Sequence, residues 1–252
     1  MSKMVNISHG HALPGGIGCG AVGFHDESKE TKAITDQLVP LLNRHGIESH
    51  DCSCNKHVSA NQCLQELVAK HNSYKNEDLS VSLHLNSADS EKAEGIEVLV
   101  LSTGGDQYKM EVAHRILDAF EEAGFKIRGV KVRTDLYFLK HCNSPSILVE
   151  MYFCSSKHDC QLAEKYGHAG MARLLATGIT GKPIKDISYG TKVKIKKNIK
   201  IRDSKGSDYN RVGIFYAGAV VEVLETNKAC TRARVTSNHW ISLDSRYVEV
   251  IN

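Results

Sequence analysis

The sequence predicts an α/β fold: a mostly parallel mixed sheet flanked by helices, followed by a small all-β barrel at the C-terminal end. Three observations predict it. Strand-like and helix-like stretches alternate over roughly the first 180 residues, the pattern of a layered sheet whose crossovers are helices. Beyond Pro183 that alternation gives way to short strands with no helical period. The chain has 252 residues, of which 41% are apolar, enough for one or two domains with real cores.

The elements follow in order. Met4–Ser8 is a short β run that leads into a glycine-rich loop from Gly10 to Gly23. Lys29–Arg44 carries Ile34, Leu38, Leu41 and Leu42 at helical spacing and stops at Gly46, with Pro40 as a candidate kink. Ser59–His71 is a second helix, with Leu64, Leu67 and Val68 on one face. Leu79–Leu85 and Gly95–Leu101 read as buried strands. Gln107–Ala123 is amphipathic through Val112, Ile116 and Phe120 and ends at Gly124. Lys126–Val132 and Ser146–Met151 are further strands, and Cys160–Ile179 is the last helix.

The C-terminal strands are expected at 193–196, 199–202, 219–224, 232–235, 239–242 and 247–251, with Gly206, Gly213 and Gly218 between some of them. These readings set a first domain at residues 1–182 and a second at 188–252. Charge divides in the same way. Residues 188–252 hold twelve Lys/Arg against six Asp/Glu, a surplus of six, whereas the whole chain is only +3. A basic module favours polyanions.

Eight cysteines are present and none forms a C-x-x-C pair, so zinc-finger and thioredoxin chemistry is excluded and reduced thiols are expected. Cys52-Ser-Cys54 with His57 is a minor metal candidate. The first residues contain no apolar run of signal-peptide length, and no segment approaches the ~20 apolar residues of a membrane span. The expectation is a protein made in the cytoplasm, with no membrane insertion and no nucleic-acid partner.

Three segments bring metal-ligating residues to strand ends. His11 follows the first strand in Ser8-His-Gly-His11. Glu27 closes Gly20-Ala-Val-Gly-Phe-His-Asp-Glu27 as a helix begins, and His84 ends Ser80-Val-Ser-Leu-His84. Two His and one carboxylate form a ligand set for catalytic zinc, with a fourth position left for water or substrate. In open α/β sheets, ligands gather at the carboxyl ends of strands. Glu150 ends Pro145-Ser-Ile-Leu-Val-Glu150, and a carboxylate after a run of apolar strand residues (Ile147, Leu148 and Val149) is costly unless it has a partner or a task. The task assigned is general base, then general acid. Singly, each of these residues has an ordinary structural explanation; the set is the signal. His9 and His25 lie beside the ligands and are expected to support them or to face solvent.

Those motifs resemble the amidase_3 type of zinc-dependent N-acetylmuramoyl-L-alanine amidase, found in autolysins, sporulation amidases and phage endolysins. The matching stretches are Gly10-His11; Gly20-Ala-Val-Gly23 with Glu27; Ser82-Leu-His84-Leu-Asn86; Gly95-Ile-Glu97; and Pro145 through Leu-Val-Glu150 to an aromatic pair, covering roughly residues 4–180. The resemblance implies Zn2+ held by His11, Glu27 and His84, with Glu150 as the catalytic glutamate. The chain departs from the family's Asp-Pro-Gly-His-Gly-Gly by reading Ser8-His-Gly-His-Ala-Leu, which sets His9 beside His11; the Gly-His pair aligns with His11.

The tail resembles bacterial SH3-type domains through Ile199-Lys-Ile-Arg202, Ala217-Gly-Ala-Val-Val-Glu-Val and Trp240-Ile. Tyr209, Phe215, Tyr216, Trp240 and Tyr247 are the aromatic candidates for its groove, at least two of them for its core. The implied partners are bacterial peptidoglycan and, through the basic tail, an anionic wall polymer. The implied setting is a phage endolysin that stays in the host cytoplasm until lysis. The alternatives are a host autolysin or sporulation amidase, a zinc peptidase cutting within the stem peptide, and a wall-binding protein without chemistry.

Overall fold

The computed structural model describes residues 3–90, 92–184, 190–204, 210–226, 232–243 and 247–251; Gly206, Tyr209 and Cys230 lie outside them. The chain divides into two compact units, Met1–Val39 with Glu48–Ile184, and Pro40–Ile47 with Lys185–Asn252.

The first unit runs β1 (Val5–His9), α1 (Glu27–Arg44), α2 (Ala60–Ser73), β2 (Leu79–Asn86), β3 (Ile96–Val100), α3 (Gln107–Glu122), β4 (Ile127–Val132), α4 (Tyr137–His141), β5 (Ser146–Phe153) and α5 (Lys157–Thr180). Its sheet has the order β1-β2-β5-β3-β4. The β1–β2, β2–β5 and β3–β4 pairs are parallel and β5–β3 is antiparallel, so the sheet is mixed with parallel pairs in the majority. Because β1, β2 and β5 run the same way, their carboxyl ends share one edge of the sheet.

Every residue of β1 and β3 is buried, as expected for strands covered on both faces. On one face Leu99 and Leu148 pack with Leu67, Val68, Phe138 and Leu139 from α2 and α4. Side chains alternate along a strand, so Glu97 and Glu150 share that face with Leu99 and Leu148.

The helices begin where side chains cap free backbone donors. Ser59 and Gln62 form a capping box on α2, Asp106 accepts from Lys109 N on α3, and Ser156 accepts from Asp159 N on α5. α1 starts two residues before the sequence expectation, at Glu27, and runs through Pro40. α5 is interrupted at Gly167, whose φ of 63° and ψ of 171° only glycine adopts freely. α4 was not expected from the sequence.

Asp159 ties the site strands to α5. Its Oδ2 accepts from Gly95 N at 2.8 Å, just before β3, and from Phe153 N at 3.0 Å, at the end of β5.

The second unit contains β6 (Lys192–Ile195), β7 (Ile199–Arg202), β8 (Arg211–Phe215), β9 (Val220–Glu222), β10 (Glu225–Thr226), β11 (Arg232–Thr236), β12 (His239–Ser242) and β13 (Val248–Ile251). They form two sheets, β10-β11-β12-β7-β8 and β13-β6-β9, with every pairing antiparallel. Among the described residues they close no barrel, so the expected small barrel reduces to two antiparallel sheets around one core. That core holds Val193, Ile195, Val223, Ile241 and Leu243, with Phe215 and Tyr247 against it. Trp240 is buried and Tyr216 is exposed. β8 and β10 were not expected; β8 contains a glycine and β10 has only two residues.

Cys19, Cys52, Cys54, Cys63, Cys142, Cys154 and Cys160 are free thiols. Burial pushes Cys52, Cys63 and Cys142 up to about 12, which keeps them protonated and unreactive.

Replacing Asp159 with Ala leaves two buried N–H donors unpaired. Denaturant unfolding should show a loss of about 2–5 kcal/mol, and an unchanged midpoint would disprove the tie.

Candidate metal centre

Three ligand atoms from distant segments converge on one point. His11 Nε2 lies 3.0 Å from Glu27 Oε1, His84 Nδ1 lies 3.1 Å from the same oxygen, and the two ring nitrogens are 3.2 Å apart. His11 leaves the carboxyl end of β1, His84 stands near the end of β2, and Glu27 opens α1. Cys52, Cys54 and His57 form no such cluster among the described residues.

Each ligand is held from behind. Glu27 is almost fully buried; its Oε2 accepts from Ala21 N and its Oε1 from Leu85 N, both at 2.9 Å. As the first residue of α1 it also meets the positive end of the helix dipole. His84 Nε2 contacts Ser82 Oγ at 3.2 Å, which leaves Nδ1 for the cluster.

The glycines of the sequence motifs make the space. A Cβ on Gly10 would lie 1.8 Å from His84 Nε2, and one on Gly20 would lie 2.4 Å from Glu27 Oε2 and 2.7 Å from His11 Cδ2.

This arrangement is poorly satisfied by hydrogen bonds alone. Glu27 Oε1 can accept from both imidazoles, but the two ring nitrogens then present protons to each other. A cation removes the conflict. Ligands about 2.0–2.1 Å from a tetrahedral zinc stand roughly 3.3 Å apart, close to the spacing found. The donor set, two neutral imidazoles and a carboxylate, is also of the type that binds zinc. Burial lowers the basicity of His84 and favours its neutral form. Burial opposes charge on Glu27, but hydrogen bonds from His11 and His84 outweigh it and hold the carboxylate well below the usual range.

Glu150 stands directly across from His84 in the β2–β5 register and from Glu97 in the β5–β3 register. Its Oε2 is buried and has no hydrogen-bond partner among the described residues. Burial, then the charges of Glu27 and Glu97, push it up to about 8, with Arg133 pulling the other way.

The neighbouring histidines have other duties. His9 is buried, with Nδ1 at 2.9 Å from the His11 carbonyl oxygen and Nε2 at 3.2 Å from Asn55 Oδ1, so it braces the loop that carries His11. His25 contacts Tyr152 and Glu164.

The structure adds residues to which the sequence assigned no role. Asn86 and Glu97 stood inside motifs without a function. Asn86 Nδ2 donates to Glu97 Oε1 at 3.0 Å, while Arg128 and Lys131 of β4 both reach Glu97 Oε2. Arg128 and Lys131 sit in a segment whose only sequence signal was its strand character.

Residues 4–181 match the Amidase_3 family model, described as N-acetylmuramoyl-L-alanine amidase. The chain is 29% identical over 224 residues to an uncharacterised protein of Clostridium perfringens, covering 81% of this chain and 65% of that one, so it spans slightly less than two thirds of that relative. Among solved structures it is similar to the catalytic domain of CD27L, an endolysin targeting Clostridia difficile. The identity is 30% and the TM-score 0.65, covering 73% of this chain and 99% of that one. Cwp6 from Clostridium difficile is 28% identical with a TM-score of 0.62, over 73% of this chain and 30% of its own. An N-acetylmuramoyl-L-alanine amidase from Clostridium difficile 630 shares the fold at 24% identity and a TM-score of 0.60, over 71% and 96%.

Two outcomes follow from this geometry. Gly10→Ala should weaken zinc binding by about 10–100-fold, as expected when a ligand's orientation is disturbed; isothermal titration showing unaltered affinity would refute the steric role. The second concerns metal-free protein. Glu150 is protonated more readily when folded than at its ordinary 4.5, so its own contribution to stability is fully present below that value and is lost as pH rises toward about 8. Glu150→Gln removes this penalty. Its advantage over wild type, measured by melting in chelator, should grow by up to a few kcal/mol between pH 5 and pH 8. A constant difference would contradict the raised value.

Proposed function

The chain belongs to the Amidase_3 family of N-acetylmuramoyl-L-alanine amidases, and from that premise we propose that it is a zinc-dependent hydrolase of peptidoglycan. The bond cut is the amide between N-acetylmuramic acid and the L-alanine of the stem peptide. The observation that carries this reading is the convergence of His11 Nε2, Glu27 Oε1 and His84 Nδ1, with a buried, unpartnered carboxylate on the adjacent strand.

His11, Glu27 and His84 would hold the ion. Bound there, zinc supplies Lewis acidity, polarising a carbonyl and making water more acidic. Glu27 stays ionised through its backbone donors and offsets part of the ion's charge. Glu150 in its ionised form accepts a proton from the attacking water, and its raised pKa makes it a stronger base than an ordinary carboxylate. The same carboxyl then gives that proton to the departing alanine nitrogen. One oxygen thus serves both halves of the reaction, which a permanent salt bridge to Glu150 would impair.

Within the family we favour an endolysin made in the host cytoplasm and acting on the wall after lysis. Similarity to the CD27L catalytic domain supports this reading. The C-terminal unit is read as an SH3-like wall-binding module for an anionic polymer. Its surplus of Lys/Arg and the exposed ring of Tyr216 support that role.

Purified peptidoglycan digested by the full chain should gain N-terminal alanine without new reducing ends, stop gaining it in EDTA, and resume with added zinc. Glu150→Gln should lower turnover at least ~100-fold with zinc content preserved. Mass spectrometry that finds other new amino termini would instead indicate a peptidase. Removing residues 188–252 should weaken attachment to intact walls while the bond cut stays the same; unchanged attachment would exclude the tail as the wall-binding module.

A further inference from the structure

The edge of the sheet beside Glu150 carries a cation pair that the reaction as described does not use. Arg128 Nε lies 2.6 Å and Lys131 Nζ 2.5 Å from the same oxygen of Glu97, whose other oxygen is held by Asn86. Glu97 is 7% exposed and faces Glu150 across the β3–β5 pair. Burial opposes its charge, but Lys131 and Arg128 outweigh that and hold it below the usual range.

One buried carboxylate needs one cation for neutrality. Two leave a surplus positive charge at the rim of the site. The guanidinium is fixed on one side by the Nε contact and by stacking 4.9 Å over the Phe153 ring. Its Nη1 and Nη2 hold no hydrogen bond among the described residues, and the side chain is 32% exposed. A guanidinium held in this way presents a planar pair of donors that matches a carboxylate.

We propose that Arg128, assisted by Lys131, recognises the α-carboxylate of the stem-peptide residue that follows the scissile alanine. The proposal rests on the amidase reading and names what the substrate must carry. In peptidoglycan that residue is a glutamate linked through its side chain, and its α-carboxyl is either a free acid or an amide. Distance fits this role. β4 lies two strands from β5, about 10 Å at ~4.8 Å per strand. An extended peptide advances ~3.3–3.6 Å per residue, so the α-carboxylate of the second residue lies about 7 Å beyond the cut bond, and the Arg128 side chain, which leans from β4 onto Glu97 of β3, spans the remaining few ångströms. Glu97 is then a positioning residue, which aims Arg128 without touching substrate.

The test uses the full chain carrying Glu150→Gln, loaded with zinc, so that ligands are not consumed. The probes are N-acetylmuramoyl-L-alanyl-D-isoglutamate and its α-amide, the isoglutamine form, titrated by calorimetry. The acid should bind at least about tenfold more tightly than the amide, as charge-assisted hydrogen bonds predict. Adding Arg128→Gln should bring the ratio close to one, and Arg128→Lys should restore part of it. A purely structural ion pair would shift the melting point but leave the ratio unchanged. Equal affinity for the two probes, a preference that survives Arg128→Gln, or no binding of either probe would overturn the proposal.

Product analysis with wild-type protein separates this result from the parent reading. Alanine release without an acid preference leaves the amidase standing and removes the role of Arg128. An acid preference that depends on Arg128, with no alanine terminus released, removes the amidase instead.

Discussion

A carboxylate kept ionised in a nearly dry corner is the constraint around which the first unit is arranged. Glu27 is almost fully buried, and an unsupported charge there would cost far more than one ion pair returns. The fold meets this cost with several weak contributions at once: the start of α1, two backbone donors from loop and strand, and two imidazoles. These donors come from three parts of the chain, so the carboxylate is properly solvated only when loop, helix and sheet are all in place. Formation of the site is thereby coupled to completion of the fold, and a cation binding there adds its own free energy to that coupling.

The same constraint explains two of the glycines in the loop between β1 and α1. Side-chain atoms of His84 and Glu27 occupy the volume where Cβ atoms of Gly10 and Gly20 would sit. Gly10 and Gly20 are therefore negatives of the clustered side chains, set by contact distance rather than by turn geometry. This is why a glycine pattern in one segment could stand in the sequence for a histidine some seventy residues away.

What was legible in the sequence follows from that logic. His11, Glu27 and His84 were readable because they end hydrophobic runs whose period marks them as strands or opens a helix, and parallel strands bring such ends together. The longer helices were readable because their apolar periodicity extends over several turns. α4, with five residues and no side-chain cap, is too short to show a period. The break at Gly167 lies inside an otherwise continuous helical pattern, where a lone glycine is ambiguous. Arg128 and Lys131 were illegible for a different reason. Their meaning depends on a shared carboxylate on β3, and the register shift between Ile96 and Glu97 that accompanies that meeting has no local sequence signature.

The pairing of Glu97 with two cations while Glu150 keeps none bears directly on chemistry. The two carboxylates face each other across adjacent strands, and Glu97, on the strand next to β4, captures Arg128 and Lys131. Had Glu150 done so, its pKa would fall and it would be a weaker base and a poorer proton store. With the cations bound at Glu97, the negative field of Glu97 reaches Glu150 only in part, while burial keeps Glu150 basic. The arrangement separates two tasks that compete for one type of side chain. In the proposed reaction one carboxylate is neutralised to position positive charge at the rim, and the other is left unpaired to move a proton. Proximity on neighbouring strands makes the division possible, and the antiparallel β5–β3 pair, the one departure from parallel order in this sheet, sets the two residues opposite each other.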